Sequence, residues 1–319
     1  MNKLVVGLVT VVLLTAGVAC GGDKEVQTLK VGNTSNWAAT SWPVYVAADQ
    51  GWFADEGIDV EQTFTRNQLE GLIGGDLHII NDGADDGLVA KERGLNIVAV
   101  KGNENHPDEY LVAQPEITSL DQLVGGIFAV SGIPSTDAAL AIEFLESKGI
   151  SRDQVDFRNI GFSSARLAAL EAKQVEGALL STGKWLTARD LGFTTLATPA
   201  DFGEFPWNVV QVKSDWAEEN KDALVGYLRS IIKAEAWLLD PANFEEAIEI
   251  LLPKTELDED IQRLVLKALH DDEMYMQEAL TTADFDRALR YLQAEDAIKP
   301  GFDIGAFLDL SYYNEAVGG

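Results

Sequence analysis

The sequence predicts an α/β protein built from two similar units. Short hydrophobic runs alternate with amphipathic helical patterns over residues 28–100, and the alternation begins again near residue 119. The chain has 319 residues, which is longer than one typical domain, and 46% of them are hydrophobic. Alternation of this kind predicts parallel sheets flanked by helices.

The first unit starts with a strand at residues 28–31, followed by a polar loop. Ser41 is placed to be the N-cap of the next helix, and Pro43 falls in its first turn, where a missing N–H costs little. Gly57 is the expected C-terminal stop of this helix. The later elements of the unit are a strand at residues 58–61, a helix at 67–74, a strand at 77–80, a helix at 85–93 and a strand at 96–100.

The second unit repeats this order. Its elements are a strand at residues 127–130, a helix ending at Gly149, a strand at 155–160, a helix at 163–173 and a strand at 175–180. Apolar residues at positions 69, 72 and 77 recur at positions 167, 170 and 175, which is one constant offset and favours a duplication. After a strand at residues 207–212 the pattern becomes helical. One helix is lined by the apolar side chains of Leu224, Leu228, Ile231 and Leu238.

The N-terminus is typical of an export signal. Lys3 precedes an apolar run at residues 4–14, which is too short for a comfortable transmembrane helix, and small residues lead to Cys20. The segment TAGVAC at residues 15–20 resembles a bacterial lipobox. We therefore expect a signal peptide at residues 1–19, lipidation of Cys20 and a tether at residues 20–27. The alternative is ordinary cleavage beside a cysteine without a role.

The net charge and the motif content of the chain reduce the number of possible functions. The formal net charge is −28, which argues against binding to nucleic acid or to anionic lipid surfaces. The histidines His78, His106 and His270 are scattered, and no phosphate-binding loop, nucleophile elbow or metal-ligand spacing is present. The sequence thus predicts no catalytic residue, no cofactor and no metal.

Several segments resemble one family of binding proteins. They are PVYVA at residues 43–47, GWFADEGIDVE at 51–61, SLDQL at 119–123 with IFAV at 127–130, and the helical stretch from Asp215 to Trp237. They are similar to the taurine/nitrate/sulfonate and thiamine-precursor solute-binding family. The chain departs from the family at His78, where an aspartate is usual, and it lacks the cysteine-rich patch of the pyrimidine-synthesising relatives.

The resemblance implies a type II periplasmic-binding fold, with two lobes, two hinge crossovers and C-terminal helices packing on the first lobe. It implies a first lobe at residues 28–115, a second at 116–205, and a return to the first at 206–319, with hinges near 110–116 and 203–212. It also implies an exported monomer, anchored to the cell membrane by the lipid on Cys20, that serves the permease and ATPase of an ABC importer.

The ligand site is expected at the carboxyl ends of the strands, where helix N-termini face the cleft. The candidate residues lie in four loops and on the returning hinge strand: Trp37, Ser41, Trp42, Tyr45, Asn81, Asp82, Asp85, Ser131, Ser135, Thr136, Ser181, Lys184, Trp185, Trp207 and Asn208. Indole faces suit an aromatic ring or a cation, and carboxylates disfavour an anion. The sequence therefore favours a cationic compound or a nitrogen heterocycle, unless Lys184 points inward and neutralises the acids.

Three alternatives remain open at this point. One is an importer component that binds a sulfonate, taurine or nitrate. Another is an enzyme on the same fold, of the pyrimidine-precursor synthase or menaquinone-pathway lyase type. The third is the ectodomain of a sensor, although no downstream signalling segment is apparent in the sequence.

Overall fold

The computed structural model describes residues 26–271 and 273–318. The signal peptide, Cys20 and most of the tether therefore lie outside the described residues. The strands are β1 (Gln27–Asn33), β2 (Ile58–Phe64), β3 (Ile79–Asp82), β4 (Ile97–Glu104), β5 (Glu109–Ala113), β6 (Ile127–Val130), β7 (Asp156–Asn159), β8 (Gly177–Ser181), β9 (Thr194–Ala197) and β10 (Asn208–Lys213).

The helices connect and cover these strands. They are α1 (Trp42–Asp49), α2 (Trp52–Asp55), α3 (Gln68–Gly74), α4 (Ala84–Glu92), α5 (Thr136–Ser147), α6 (Ser163–Glu171), α7 (Thr182–Asp190), α8 (Pro199–Phe202), α9 (Ser214–Glu219), α10 (Lys221–Leu239), α11 (Phe244–Thr255), α12 (Glu259–Asp271), α13 (Asp286–Ala294) and α14 (Ser311–Gly318). Short 3₁₀ turns occupy Ala39–Ser41, Leu120–Leu123, Arg152–Gln154, Pro241–Asn243, Thr282–Phe285 and Ile304–Phe307. Over the described ranges, no helix combines the length and apolar character that a bilayer crossing requires.

Two five-stranded sheets share one arrangement. The first sheet has the order β2-β1-β3-β10-β4, and the second has the order β7-β6-β8-β5-β9. In each sheet the first three strands are parallel, while β10 and β5 run antiparallel to both of their neighbours. The two-lobed α/β prediction is confirmed, and the matching strand orders agree with the duplication that the apolar spacing suggested.

The predicted helix at the start of the first unit is in fact two helices. Gly51 adopts a left-handed φ of 75° and separates α1 from α2, and Gly57 with φ 73° follows α2. Ser41 does precede α1, but its hydroxyl does not cap the helix; it donates to the carbonyl of Ser35 at 2.7 Å instead.

The pairing of β5 and β9 was not predicted from the sequence. Because β5 pairs with β8, residues 109–113 belong to the second sheet, although the sequence placed them in the first lobe. The chain crosses between sheets at residues 105–108, before the expected hinge at 110–116, and returns through residues 198–207. The expected hinge segment at 208–212 is likewise part of β10 in the first sheet.

The C-terminal helices pack mainly on the first lobe, as predicted. Helix α14 packs against α10 and β4, and α11 packs against α1. The apolar face of α10 is buried as expected, with Leu224, Leu228, Ile231 and Leu238 at most 3% exposed. Helices α12 and α13 are different because they contact both lobes: α12 packs on α10 and on α7 of the second lobe, and α13 packs on α4 of the first lobe and α5 of the second.

Candidate ligand-binding cleft

A cavity of about 380 Å³ lies between the two sheets. Its walls are the loops after β1, β3, β6, β7 and β8, at the carboxyl ends of the parallel strands, and its floor includes both crossings between the lobes. Nine of the predicted ligand residues line it: Trp37, Asp82, Asp85, Ser131, Ser135, Thr136, Ser181, Trp207 and Asn208.

Four other predicted residues of the first lobe lie away from the cavity in buried or half-buried positions. Trp42 is 0% exposed in the core beneath α1, and Tyr45 is half-buried against the same core. Asn81 is buried and accepts a hydrogen bond from the Asn103 amide at 2.8 Å. Ser41, bonded to Ser35, is buried as well and does not line the cavity.

Two predicted residues of α7 also lie outside the lining. The indole of Trp185 stacks on Tyr110 with ring centroids 3.9 Å apart, and its Nε1 donates to Thr195 at 2.8 Å. Lys184, which could have neutralised the acids of the cleft, is not among the lining residues. The cavity therefore keeps its acidic character.

The first-lobe wall carries the predicted aspartates. Asp82 ends β3 and accepts a hydrogen bond from the Gly83 N–H at 2.9 Å, while Asp85 lies in the first turn of α4. Burial raises the pKa of Asp82 to about 7, partly offset by the Gly83 hydrogen bond. Burial and the adjacent Asp86 carboxylate raise the pKa of Asp85 to about 8. Both side chains therefore ionise at a higher pH than exposed aspartates do.

A second acidic group lies at the first crossing, and sequence reasoning missed it. Glu104 ends β4 and accepts a hydrogen bond from the Asn208 amide, Asp108 accepts from the backbone and hydroxyl of Thr182, and Glu109 starts β5. Burial raises the pKa of Glu104 to about 8, of Asp108 to about 6 and of Glu109 to about 8. The available signal was the polar segment at residues 103–109 between two apolar runs.

Two arginines supply the basic side chains of the lining, and sequence reasoning missed both. Arg166, on α6, is buried between Glu109, with Nη2–Oε1 at 3.0 Å, and Asp137. Arg66, after β2, is exposed and donates to the Ser131 carbonyl at 3.1 Å. The described lining thus holds two guanidinium groups against seven carboxyl groups: Asp82, Asp85, Asp86, Glu104, Asp108, Glu109 and Asp137.

The two lobes touch across the mouth of the cavity. The Thr136 hydroxyl donates to the Asp85 carboxylate, and Arg66 reaches across to the Phe162 ring, with its guanidinium carbon 4.6 Å from the ring centroid. Phe162 is 44% exposed and lines the cavity together with Trp37 and Trp207. The structure therefore shows a closed cleft with aromatic and acidic walls.

The two five-stranded sheets and the cleft between them define a two-lobed periplasmic-binding fold. The model of the NMT1/THI5-like family matches residues 38–243, and the chain belongs to this family. The formylaminopyrimidine-binding protein of Halalkalibacterium halodurans is 25% identical over 217 residues. That match covers 66% of this chain and 65% of the relative, so the chain spans just under two thirds of the relative's length.

Solved structures show the same fold. The periplasmic aliphatic sulphonate-binding protein SsuA of Escherichia coli matches with a TM-score of 0.72 and 16% identity, over 88% of this chain and 91% of that one. The periplasmic nitrate-binding protein NrtA of Synechocystis matches with a TM-score of 0.72 and 13% identity, over 92% and 89% respectively. At these identities the likeness establishes the fold and not the ligand.

Proposed function

We propose that this protein is the solute-binding component of an ABC importer, and that it captures a cationic compound or a nitrogen heterocycle between its lobes. The observation that carries the proposal is the imbalance of charge in the cleft. One of the two lining guanidiniums, Arg166, already contacts two carboxyl groups, which leaves Arg66 against the remaining acids. A bound cation would relieve the repulsion among these carboxylates.

Shape and relatives support the same ligand class. Trp37, Trp207 and Phe162 offer aromatic faces to a planar ring or a cation. The family relative from Halalkalibacterium is named for binding a formylaminopyrimidine, which is a nitrogen heterocycle. A flat, basic heterocycle stacks on the aromatic side chains and pairs with the carboxyl groups of the lining at the same time.

An anionic ligand fits this cleft less well. An ionised carboxylate about 4 Å from a bound anion would cost roughly 4 kcal/mol at an intermediate effective dielectric. Anion affinity should therefore fall by up to about a thousandfold as the pH rises above the pKa values of about 7 to 8 of Asp82, Asp85 and Glu104. The sulphonate and nitrate of the structural neighbours are therefore not transferred to this chain. We also favour binding over catalysis, because the relative from Halalkalibacterium and both structural neighbours are named as binding proteins.

We further propose that the mature protein is a monomer held at the outer face of the membrane by a lipid on Cys20. The single cysteine of the chain stands at the expected cleavage point. The two lobes would rotate about residues 105–108 and 198–207, where the chain passes between sheets. Ligand then favours the closed form because it contacts both walls, which gives it a higher affinity for that state.

A thermal-shift screen of the mature protein, with compounds grouped by charge, tests the proposal. The probe for the favoured class is amino-hydroxymethyl-methylpyrimidine, hereafter the aminopyrimidine. A ligand that binds only the folded state raises the unfolding temperature with occupancy. We expect stabilisation by the aminopyrimidine, by formylaminopyrimidine or by aromatic ammonium compounds. Stabilisation by taurine and alkanesulfonates alone would contradict the proposal.

A further inference from the structure

Glu109 and Ser181 face each other on the second-lobe wall of the cleft. Glu109 is the first residue of β5 and Ser181 the last residue of β8, and the two are directly paired in the antiparallel ladder. Directly opposed residues of an antiparallel pair project their side chains to the same face, with Cβ atoms about 5 Å apart. Both side chains belong to the lining of the cavity. They therefore form one continuous polar patch.

Each of these residues has one oxygen without a partner. Glu109 is 7% exposed; its Oε1 accepts from Arg166, while its Oε2 has no hydrogen-bond partner among the described residues. Ser181 is also 7% exposed, and its Oγ likewise finds no partner within the described part of the chain. A buried polar atom without a partner costs free energy, so such atoms in a cavity wall indicate where a ligand makes hydrogen bonds.

The surroundings fix the orientation of the pair. Arg166 is held between Glu109 and Asp137, and the Ser181 N–H donates to Ser163 Oγ at 3.0 Å. The Glu109 carboxylate is thus anchored through one oxygen, and the other stays free to accept. A carboxylate oxygen and a hydroxyl side by side accept from a group that carries two N–H bonds, such as a ring amino group or an ammonium.

We propose that Glu109 and Ser181 form the subsite that recognises an N–H-bearing group of the ligand, with Arg166 positioning the Glu109 carboxylate. This inference rests on the proposed function and makes it more specific. The subsite belongs to the second lobe, whereas Asp82 and Asp85 belong to the first. A ligand that binds the subsite and these aspartates at once contacts both lobes, which is the condition for ligand-driven closure.

Two variants and one control test the subsite. Glu109→Gln keeps an oxygen for Arg166 but presents an N–H where the free carboxylate oxygen lay. Ser181→Ala removes the hydroxyl alone. Glu171→Gln is the matched control, because Glu171 is an exposed acid on α6 of the same lobe and does not line the cavity. Thermal unfolding of each variant without ligand checks that the fold is retained.

The readout is discrimination between paired probes in titration calorimetry. One pair is the aminopyrimidine and hydroxymethyl-dimethylpyrimidine, in which a methyl group replaces the ring amino group. The other pair is benzylamine and benzyl alcohol. The wild type and Glu171→Gln should prefer the N–H-bearing member of a pair. Glu109→Gln should lose roughly 10- to 100-fold of affinity for that member, and Ser181→Ala about 5-fold, while the partner probe changes little.

The possible failures can be told apart. If the wild type binds the amino probes and Glu109→Gln binds them equally well, the subsite is wrong while the ligand class stands. If affinity falls equally for both members of a pair, the role of Glu109 is structural, and the subsite is again wrong. If the wild type binds no N–H-bearing probe, the subsite and the proposed ligand class fall together.

Discussion

Gly83 lies so close to Thr136 of the opposite lobe that a β-carbon at position 83 would stand 2.3 Å from Thr136 Oγ1 and 3.3 Å from its Cβ. The backbone of Gly83 has φ −54° and ψ 150°, which alanine adopts without strain. The same β-carbon would stand 2.5 Å from Asp85 Oδ1 of its own lobe, so both Thr136 and Asp85 exclude a side chain at position 83.

Gly83→Ala should hold the lobes apart. We expect binding of the aminopyrimidine to weaken about tenfold or more, because the added methyl group displaces both Thr136 and Asp85. Small-angle scattering should show a radius of gyration that no longer falls on addition of ligand. The double variant Gly83→Ala/Thr136→Ala removes Oγ1 and should regain part of the affinity. If ligand still lowers the radius of gyration of Gly83→Ala, the close approach of residue 83 to Thr136 does not limit closure of the lobes.

Stability should fall as the pH rises from about 5 to 8. Burial raises the pKa of Asp82 to about 7, and that of Asp85 and Glu104 to about 8, above values of about 4 in an unfolded chain. The folded protein holds protons that the unfolded chain has released, so this stabilisation is complete below about pH 4 and is lost as pH rises through the folded pKa values. Scanning calorimetry without ligand should show a lower unfolding temperature at pH 8 than at pH 5.

A pair of variants separates this effect from the overall negative charge. Asp85→Asn keeps an acceptor for Thr136 and should raise the unfolding temperature at pH 8 but not at pH 5. Asp59→Asn removes the same charge from an exposed position on β2 and serves as the control. Equal effects of the two substitutions would assign the pH dependence to general charge repulsion.

Trp37→Ala should weaken binding of the aminopyrimidine roughly tenfold to a hundredfold, because it removes an aromatic face from the lining. Trp216→Phe, on α9 and outside the lining, is the control and should leave affinity unchanged. Isothermal titration calorimetry with the aminopyrimidine measures the affinity of both variants. Equal affinities of wild type and Trp37→Ala would remove Trp37 from the site.

Cys20→Ser should release the protein from the membrane fraction without change in ligand affinity. The substitution removes the thiol to which a lipid would be attached and leaves the folded lobes untouched. Cell fractionation followed by immunoblotting measures the distribution. Continued sedimentation of a processed Cys20→Ser protein with membranes would contradict lipid anchoring.

The sequence predicted the parallel strands and most helices because each carries its own periodic pattern. Strand β5 escaped prediction because residues 110–116 were expected to form a hinge, and its five fully buried residues show no alternation that would have corrected this. Trp37 and Trp42 lie in the same loop-to-helix segment, yet one lines the cavity and the other fills the core. Trp37 lies in the turn before α1 and Trp42 is the first residue of α1, so their difference depends on the path of that turn, which local sequence does not specify.

The charge pairing inside the cleft also lay beyond sequence reasoning. Arg166 meets Glu109 across 57 positions of chain, and only the stacking of α6 on the second sheet brings them together. The aspartates after β3 were predictable because loops at strand ends carry polar ligand groups. The acids at the first crossing, Glu104, Asp108 and Glu109, were not predictable, since the sequence placed the crossing too late in the chain.

We propose that the cleft selects a cationic or nitrogen-rich ring over an anion. Titration calorimetry of the mature protein at about pH 7.5, with the aminopyrimidine, formylaminopyrimidine and taurine in parallel, measures this selectivity. We expect at least one of the two pyrimidines to bind, with affinity at least a hundredfold above that for taurine. Tight binding of taurine, with neither pyrimidine competing, would show that the cleft selects an anion instead.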